Sequence, residues 1–550
     1  MVKLKLLAKK VGTWIISPLG ATLLIGLILV TISIISTYFV RAYNSDDVIW
    51  QNALLTWSPF NGHIFFADLG VSYVLKLPIY WAVSLFFEPG RFALLVTGVI
   101  LAVANFYIVY RCYLYFLSVA KIKITRISLL PLLWLASFGF ALAQQFVSTN
   151  LHNLEIGGIF IFLVLVSKLL RGEFGKYKTL TQYIIFGAIG LLAGAMILND
   201  RYFIYFGILP SIFIGILFLV RKEMSKDRIL TLATLILSSF VFYVLLKYIA
   251  QHFLGMLFMS EGVAGAGTPS IVSFDLFFPG ILVTLHSLLI LFGADIFQRH
   301  VTDFMTIVTF VNLALLAFGS FWLVRVFRDI RKSQSLQKIV LQLMGTIIVL
   351  ALLIYTLSTL SLGNSSTYRY LLIVPYALVF ILAYGLTQTR YRKVVVTLLL
   401  IGALLNTISS IGGIHDKALI NIPPSLNNSL EDQQKPNYEL IDVLESHGLT
   451  KGYVDYWEGN VNAYLSKGEL TLLPVQCIKD KTQKYEWLID DALFTKPAAK
   501  TFFLQDPAYI GEGALCSDAA IFKQFGTPDQ TVDYKSLRIH IYNHDITSSL

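Results

Sequence analysis

Ile16-Ser-Pro-Leu-Gly-Ala-Thr-Leu-Leu-Ile-Gly-Leu-Ile-Leu-Val30 runs on to Val40 without a charge, and Arg41-Ala-Tyr-Asn-Ser-Asp-Asp-Val48 follows it. The first piece is long enough to cross a bilayer, which takes about 20 apolar residues. The second places two adjacent carboxylates, Asp46 and Asp47, where the chain leaves the apolar phase. Side by side they repel, and each disfavours the ionisation of the other. The pair therefore calls for a partner or a use.

The rest of the chain repeats the first piece. Of 550 residues, 56% are hydrophobic and 14% charged, and mean hydropathy is +0.69. Globular chains carry about 25% charged residues, so this is a polytopic α-helical membrane protein. The net charge of +10 comes in short clusters between apolar runs: Lys3 to Lys10, Lys121 to Arg126, Arg171 to Lys178, Arg221 to Arg228, Arg325 to Lys332 and Arg390 to Lys393. Short basic loops are the mark of the cytoplasmic side. They do not form the continuous basic face of a nucleic-acid binder.

Spans are expected near 17–40, 91–115, 127–146, 154–170, 183–198, 202–220, 230–249, 304–325, 339–360, 370–388 and 394–412, about eleven in all. With a cytoplasmic N-terminus, this alternation puts every basic cluster on the cytoplasmic side. No small-residue cleavage site follows the first span, so it is expected to stay as an anchor. The first outer loop, 41–90, is rich in aromatics and suits helices lying in the headgroup region. A large outer loop, 250–303, holds Gly262-Val-Ala-Gly-Ala-Gly267 and an apolar stretch from Phe274 to Phe297. That stretch is expected to be interfacial or re-entrant, because an extra crossing would invert the later basic loops. The membrane region thus covers 1–412, a polar linker 413–437, and a small α/β domain 438–550 on the outer face. In that domain a helix ends at Gly448, and strands are expected at Gly452–Trp457, Leu470–Val475, Thr501–Leu504 and Leu537–Tyr542. Cys477 and Cys516 share it, and an exported compartment favours their pairing as a disulfide. Cys112 falls in a span.

Polar groups at membrane depth are costly and call for a functional hypothesis. On the predicted outer face these are Asp46, Asp47, Lys76, Arg91, His152, Glu155, Asp200, Arg201 and Arg369, with Tyr80, Trp81 and Tyr370 beside them. Each also has a structural reading. Asp46 and Asp47 can cap a helix with help from Asn44 or Ser45. Lys76, Arg91 and Arg369 can anchor at the interface. Asp200 and Arg201 can pair locally, and Glu155 can sit at a helix start. Their gathering on one face is harder to explain that way. Carboxylates beside Lys and Arg suit the binding of an anionic group and acid/base chemistry. The histidines lack metal-ligand spacing, and the Gly262–Gly267 run lacks the ending of a phosphate loop.

These residues resemble the motifs of the GT-C superfamily of polyprenyl-phosphate-dependent glycosyltransferases, which includes protein O-mannosyltransferases and lipid A aminoarabinose transferases. Ser45-Asp-Asp-Val48 is similar to the acidic motif after the first span. Lys76-Leu-Pro-Ile-Tyr-Trp81 is similar to the first-loop motif, with one Pro fewer. Arg91, Glu155, Asn199-Asp-Arg201 and Arg369-Tyr-Leu-Leu-Ile-Val-Pro375 follow in family order over residues 15–412. Asp-Asp stands where Asp-Glu is common, and Glu155 is displaced toward its helix.

The resemblance implies an enzyme of the bacterial inner membrane, with its C-terminal domain periplasmic or extracellular. It would move a sugar from a polyprenyl-phosphate donor to a glycan, lipid or protein acceptor, with membrane lipid around it and no nucleic acid. Asp46, Asp47 and Glu155 are the candidate catalytic acids, and one of the two aspartates is the base. Lys76, Arg91, Arg201 and Arg369 are the pool for the donor phosphate, with Lys76 foremost. His152, Asp200, Tyr80, Trp81 and Tyr370 line the substrate site. The resemblance fixes no cofactor; a divalent cation held by the second aspartate is left open. The competing class is a transporter or flippase for a lipid-linked or anionic substrate.

Overall fold

The computed structural model describes residues 17–38, 43–57, 62–68, 74–137, 152–176, 179–259, 270–297, 304–330, 339–362, 365–415, 434–511 and 513–550. The N-terminal basic cluster, the Gly262–Gly267 run and most of the expected linker lie outside them. Among the described residues, eight helices are long and apolar enough to cross a membrane. Shorter apolar helices span Arg126–Ala136, Ile204–Val220 and Ile373–Gln388, and Asn153–Leu170 adds another. The chain is a multi-pass membrane protein. Burial sorts the helices. In Ile339–Leu357, 72% of the most apolar window is buried, so this helix is central. In Lys226–Phe253 only 17% is, and so broad an apolar surface needs lipid against it.

Small residues and polar side chains join helices where lipid gives no hydrophobic driving force between them. Gly190 and Gly194 lie one turn apart on Thr179–Asn199. A Cβ at Gly194 would fall 2.7 Å from the Tyr243 backbone nitrogen of Lys226–Phe253. Elsewhere Trp134 Nε1 donates to Asn312 Oδ1 at 3.1 Å, and Asn312 Nδ2 donates to Asn406 Oδ1 at 2.9 Å.

The apolar stretch after Phe274 forms helix Phe277–Leu291. With its preceding turn it is long and apolar enough to span. Its start is bound to the end of Ile339–Leu357, where Thr359 N donates to the Ser270 carbonyl at 2.8 Å. Just past its end, the Gly293 carbonyl accepts from Asn312 Nδ2 at 3.4 Å. Asn312 lies only about 12 Å along the next helix, Phe304–Ile330, at 1.5 Å per residue. The stretch therefore ends part-way along its successor rather than at its far end.

Residues 434–550 build a six-stranded sheet whose strands lie, from edge to edge, in the order Lys481–Lys484, Thr471–Ile478, Lys451–Val454, Thr501–Gln505, Leu537–Tyr542 and Gln530–Tyr534. β3 (Lys451–Val454) is parallel to β4 (Thr471–Ile478) and to β7 (Thr501–Gln505). β5 (Lys481–Lys484), β8 (Gln530–Tyr534) and β9 (Leu537–Tyr542) pair antiparallel. Cys477 and Cys516 form a disulfide, with their Cα atoms 4.7 Å apart. Helix Lys435–Ser446 ends before Gly448, whose φ of +67° suits a residue without Cβ. The expected strand Gly452–Trp457 is a correction: it stops at Val454. Asp455 then caps helix Tyr456–Leu465, its Oδ1 accepting from the backbone of Trp457 at 2.7 Å and Glu458 at 3.3 Å.

This unit is joined to the membrane region through a second sheet. In it β1 (Phe65–Asp68), from the first loop, lies between β2 (Met256–Met259) and β6 (Ile489–Asp490). Helix Tyr456–Leu465 packs along helix Ser45–Thr56 of the same loop.

Candidate active site

The two aspartates open helix Ser45–Thr56 and face different ways. Asn44 is the N-cap: its side chain accepts from Asp47 N, and Asp47 Oδ2 accepts from Asn44 N at 3.0 Å. This reciprocal box satisfies two backbone donors that the helix itself cannot. Asp47 is thereby fully buried. Asp46 turns out of the box. Its Oδ1 accepts from the Tyr456 hydroxyl at 2.7 Å, and its Oδ2 lies 3.9 Å from Arg369 Nη1. Its side chain stays 21% exposed. The sequence alone left the pair undivided; the cap divides it.

Arg369 comes from the short 3₁₀ helix Ser365–Leu371, its guanidinium 5.3 Å from the Tyr370 ring centre. Tyr370 leads to a second group of charges. The Tyr202 hydroxyl reaches the Tyr370 carbonyl at 3.4 Å and accepts from Ile373 N at 2.9 Å. The Tyr202 ring stacks on His152, 4.3 Å between centres. His152 Nδ1 pairs with Asp200 Oδ2, and Asp200 Oδ1 accepts from Tyr202 N at 2.8 Å. Beside them Lys76 Nζ meets Glu155 Oε2 at 3.1 Å, and Asn199 Nδ2 donates to Glu155 Oε1 at 2.6 Å. Asn199 Oδ1 also holds the backbone of Leu75, next to Lys76.

Four helix ends and the first loop thus converge on one place. This second group is sealed: Lys76 is 0% and Glu155 1% exposed. Burial pushes the Lys76 ammonium below the usual lysine range, against the opposing pull of Glu155 and Asp200. Burial, then the nearby Glu155 carboxylate, pushes the Tyr80 phenol well up, so Tyr80 stays protonated.

The remaining expected residues divide. Arg91 donates to the Tyr38 carbonyl and lies 4.4 Å from the centre of its ring. It thereby fastens the start of its own helix to the end of the first. Arg201 is half-buried in the turn after Asn199, and Trp81 is largely exposed. Among the described residues no three His, Cys, Asp or Glu side chains gather as metal ligands. The aspartate pair, split between a cap and an arginine, does not fit a shared cation.

Tyr456 is the residue that sequence reasoning missed. A signal was present: Asp455 followed three residues later by Glu458 is a helix-start pattern, and it would have turned the tyrosine from a strand into the first turn of a helix.

The overall fold has a counterpart among solved structures. ArnT from Cupriavidus metallidurans, in a crystal structure bound to undecaprenyl phosphate, matches it with a TM-score of 0.54 at 10% identity, over 95% of this chain and 97% of that one. Two oligosaccharyltransferase structures from Archaeoglobus fulgidus, the first of AglB, give lower TM-scores, 0.41 and 0.40, at 11% and 10% identity, over 81% of this chain and 64% of theirs. One holds an inhibitory peptide and dolichol-phosphate, and the other is the apo form. No protein-family model and no curated protein matches the sequence.

Proposed function

We propose that this protein is a glycosyltransferase of the bacterial inner membrane. It takes a sugar from a polyprenyl-phosphate donor and transfers it to a hydroxyl acceptor on the face that carries the C-terminal unit. The observation that carries the reading is the Asp46–Arg369 pair, a partly exposed carboxylate and guanidinium at the meeting point of the helix ends. Asp46 is the base. It takes the proton from the acceptor hydroxyl as that oxygen attacks the anomeric carbon. The bond from that carbon to the phosphate oxygen breaks on the opposite side, and its electron pair leaves with the lipid phosphate. The sugar inverts. Arg369 neutralises the charge that grows on the leaving phosphate, where a fixed cation in a water-poor site is most effective.

This order differs from the sequence-based one, which put Lys76 foremost. Lys76 is sealed and already paired with Glu155, so a donor phosphate reaches it only by displacing that carboxylate. Glu155 and Asp200 are accordingly given supporting roles. The lipid chain of the undecaprenyl phosphate in the ArnT structure supports a donor of the same chemical kind.

The test is to reconstitute the purified protein in lipid vesicles and supply a panel of polyprenyl-phosphate sugars. Release of free polyprenyl phosphate from at least one donor is expected. Movement of intact donor across the bilayer without cleavage would instead establish a flippase.

A further inference from the structure

The Asp46 carboxylate accepts a hydrogen bond from the C-terminal unit, Tyr456 Oη donating to Oδ1 at 2.7 Å. Tyr456 reaches it by a rigid route. It is the first residue of a helix capped twice by Asp455. That helix is fixed to Ser45–Thr56 on both sides of Asp46. Ser45 Oγ donates to the Trp457 carbonyl at 2.7 Å and accepts from Val461 N at 3.3 Å. About two turns further along Ser45–Thr56, Asn52 Nδ2 donates to Asn460 Oδ1 at 3.0 Å. The Tyr456 ring is held among Trp487, Trp457 and Tyr485, at 4.9, 5.2 and 5.4 Å between centres. Rings packed this closely restrict the movement of the phenol.

We infer that the C-terminal unit is part of the reaction centre, with Tyr456 as a positioning residue that holds Asp46 by Oδ1 and so presents Oδ2 beside Arg369 to the acceptor hydroxyl. The inference rests on the reading of Asp46 as the base. Two further facts support it. Burial, and then the Asp46 carboxylate itself, push the Tyr456 phenol well above its ordinary range, so it stays a donor. The enclosing rings of Trp457, Tyr485 and Trp487 all belong to the C-terminal unit, so without that unit Asp46 would lose its hydrogen bond at Oδ1. Among the described residues, the titratable and charged groups facing Asp46 include Arg369 from the segment before Ile373–Gln388, Tyr456 from the C-terminal helix, and Tyr485 behind it. Neighbouring Asp47 is turned away into the cap.

A fixed base matters because proton transfer needs its oxygen within hydrogen-bond reach of the acceptor. Misplacement by about 1 Å costs on the order of a hundredfold in rate. A donor to the ionised carboxylate also favours the ionised form. Both consequences distinguish positioning from packing.

The experiment compares the full-length wild type with Y456F, Y456H and K467M in the vesicle assay. Y456F removes only the hydroxyl. Its kcat should fall by about tenfold to a hundredfold, with KM for the donor within about twofold, and the acid limb of its pH–rate profile should move to higher pH. Y456H keeps a ring donor and should recover part of the loss. K467M breaks a peripheral docking contact, Lys467 to Glu88, and should behave as wild type. Wild-type kcat and an unmoved acid limb in Y456F would reduce the tyrosine to packing and overturn the inference. So would a faster Y456F, which would mean that the phenol blocks the base in place of an acceptor. An equal loss in K467M would assign the effect to docking in general and overturn it too. If the wild type cleaves no donor, the glycosyltransferase reading fails and this inference with it; if the wild type is active and Y456F matches it, the inference fails alone.

Discussion

Two groups of charged side chains sit at the same end of the helical bundle and differ in their access to water. Asp46 and Arg369 keep 21% and 30% of their side-chain surface exposed, at a separation of 3.9 Å. Lys76 and Glu155 keep almost none, at 3.1 Å. The difference separates two uses of charge. An exposed pair is worth about 0–1 kcal/mol, so it can exchange its partner for a substrate at small cost. A sealed pair has already lost its water, and removing one member strands the other. The open group is therefore suited to chemistry, and the sealed group to fixing the helix ends around it.

The sharpest way to break this comparison is to truncate one charge in each group. Lys76→Met leaves Glu155 buried without its cation and should destabilise the protein by about 3–5 kcal/mol, seen as a large fall in the thermal transition. Lys76→Met combined with Glu155→Leu should regain much of that loss. Arg369→Met should shift the transition by less than about 1 kcal/mol while lowering donor turnover. Equal thermal losses in Lys76→Met and Arg369→Met would erase the distinction.

The next effect concerns the unit that carries Tyr456. Its disulfide closes a loop with a sequence separation of 39 and contributes about 4 kcal/mol by the chain-entropy estimate. Replacing Cys477 and Cys516 by Ser should lower the thermal stability of that unit, and thiol labelling of the unreduced wild type should find neither cysteine. Reaction of both would contradict the pairing.

How much of this was legible beforehand follows from the range of each interaction. The spans could be read because about 20 consecutive apolar residues are a local property. The gathering of charges at one end could be read from topology. The division of Asp46 from Asp47 was nearly legible too. Asn44 followed three residues later by an acid is a local capping pattern, and it assigns Asp47 to the backbone. Lys76 with Glu155 was not legible, since nothing local specifies a partner on another helix end. Tyr456 was hidden twice. It reads as part of a strand unless Asp455 is recognised as a cap, and its target is on the far side of the membrane region in sequence. The stretch after Phe274 is apolar throughout, so only its hydrogen bonds to Asn312 and near Ser358 reveal where it ends.

Smaller effects sharpen the same contrast. Asp47→Ala should cost about 0.5–2 kcal/mol through the lost cap, with donor cleavage retained. Glu458 supplies a pH test. Burial, then neighbouring Asp455, raise its carboxyl above the usual range. The folded state therefore holds this proton more tightly than the unfolded chain. The favourable contribution is present below the ordinary glutamate pKa and is lost as pH rises through the raised value. Glu458→Gln should raise the thermal transition near pH 7 and change it little near pH 4. The same difference at both pH values would contradict the assignment.

The most direct measurement of the central claim is the rate of polyprenyl-phosphate release by Asp46→Asn and Asp47→Asn proteins side by side, in the same vesicles and with the same donor. A general base contributes about 10²–10⁴-fold. The account predicts a loss of that size in Asp46→Asn, with a normal thermal transition, and a rate within about tenfold of wild type in Asp47→Asn. Near-normal release by Asp46→Asn, or the larger loss falling on Asp47→Asn, would contradict it.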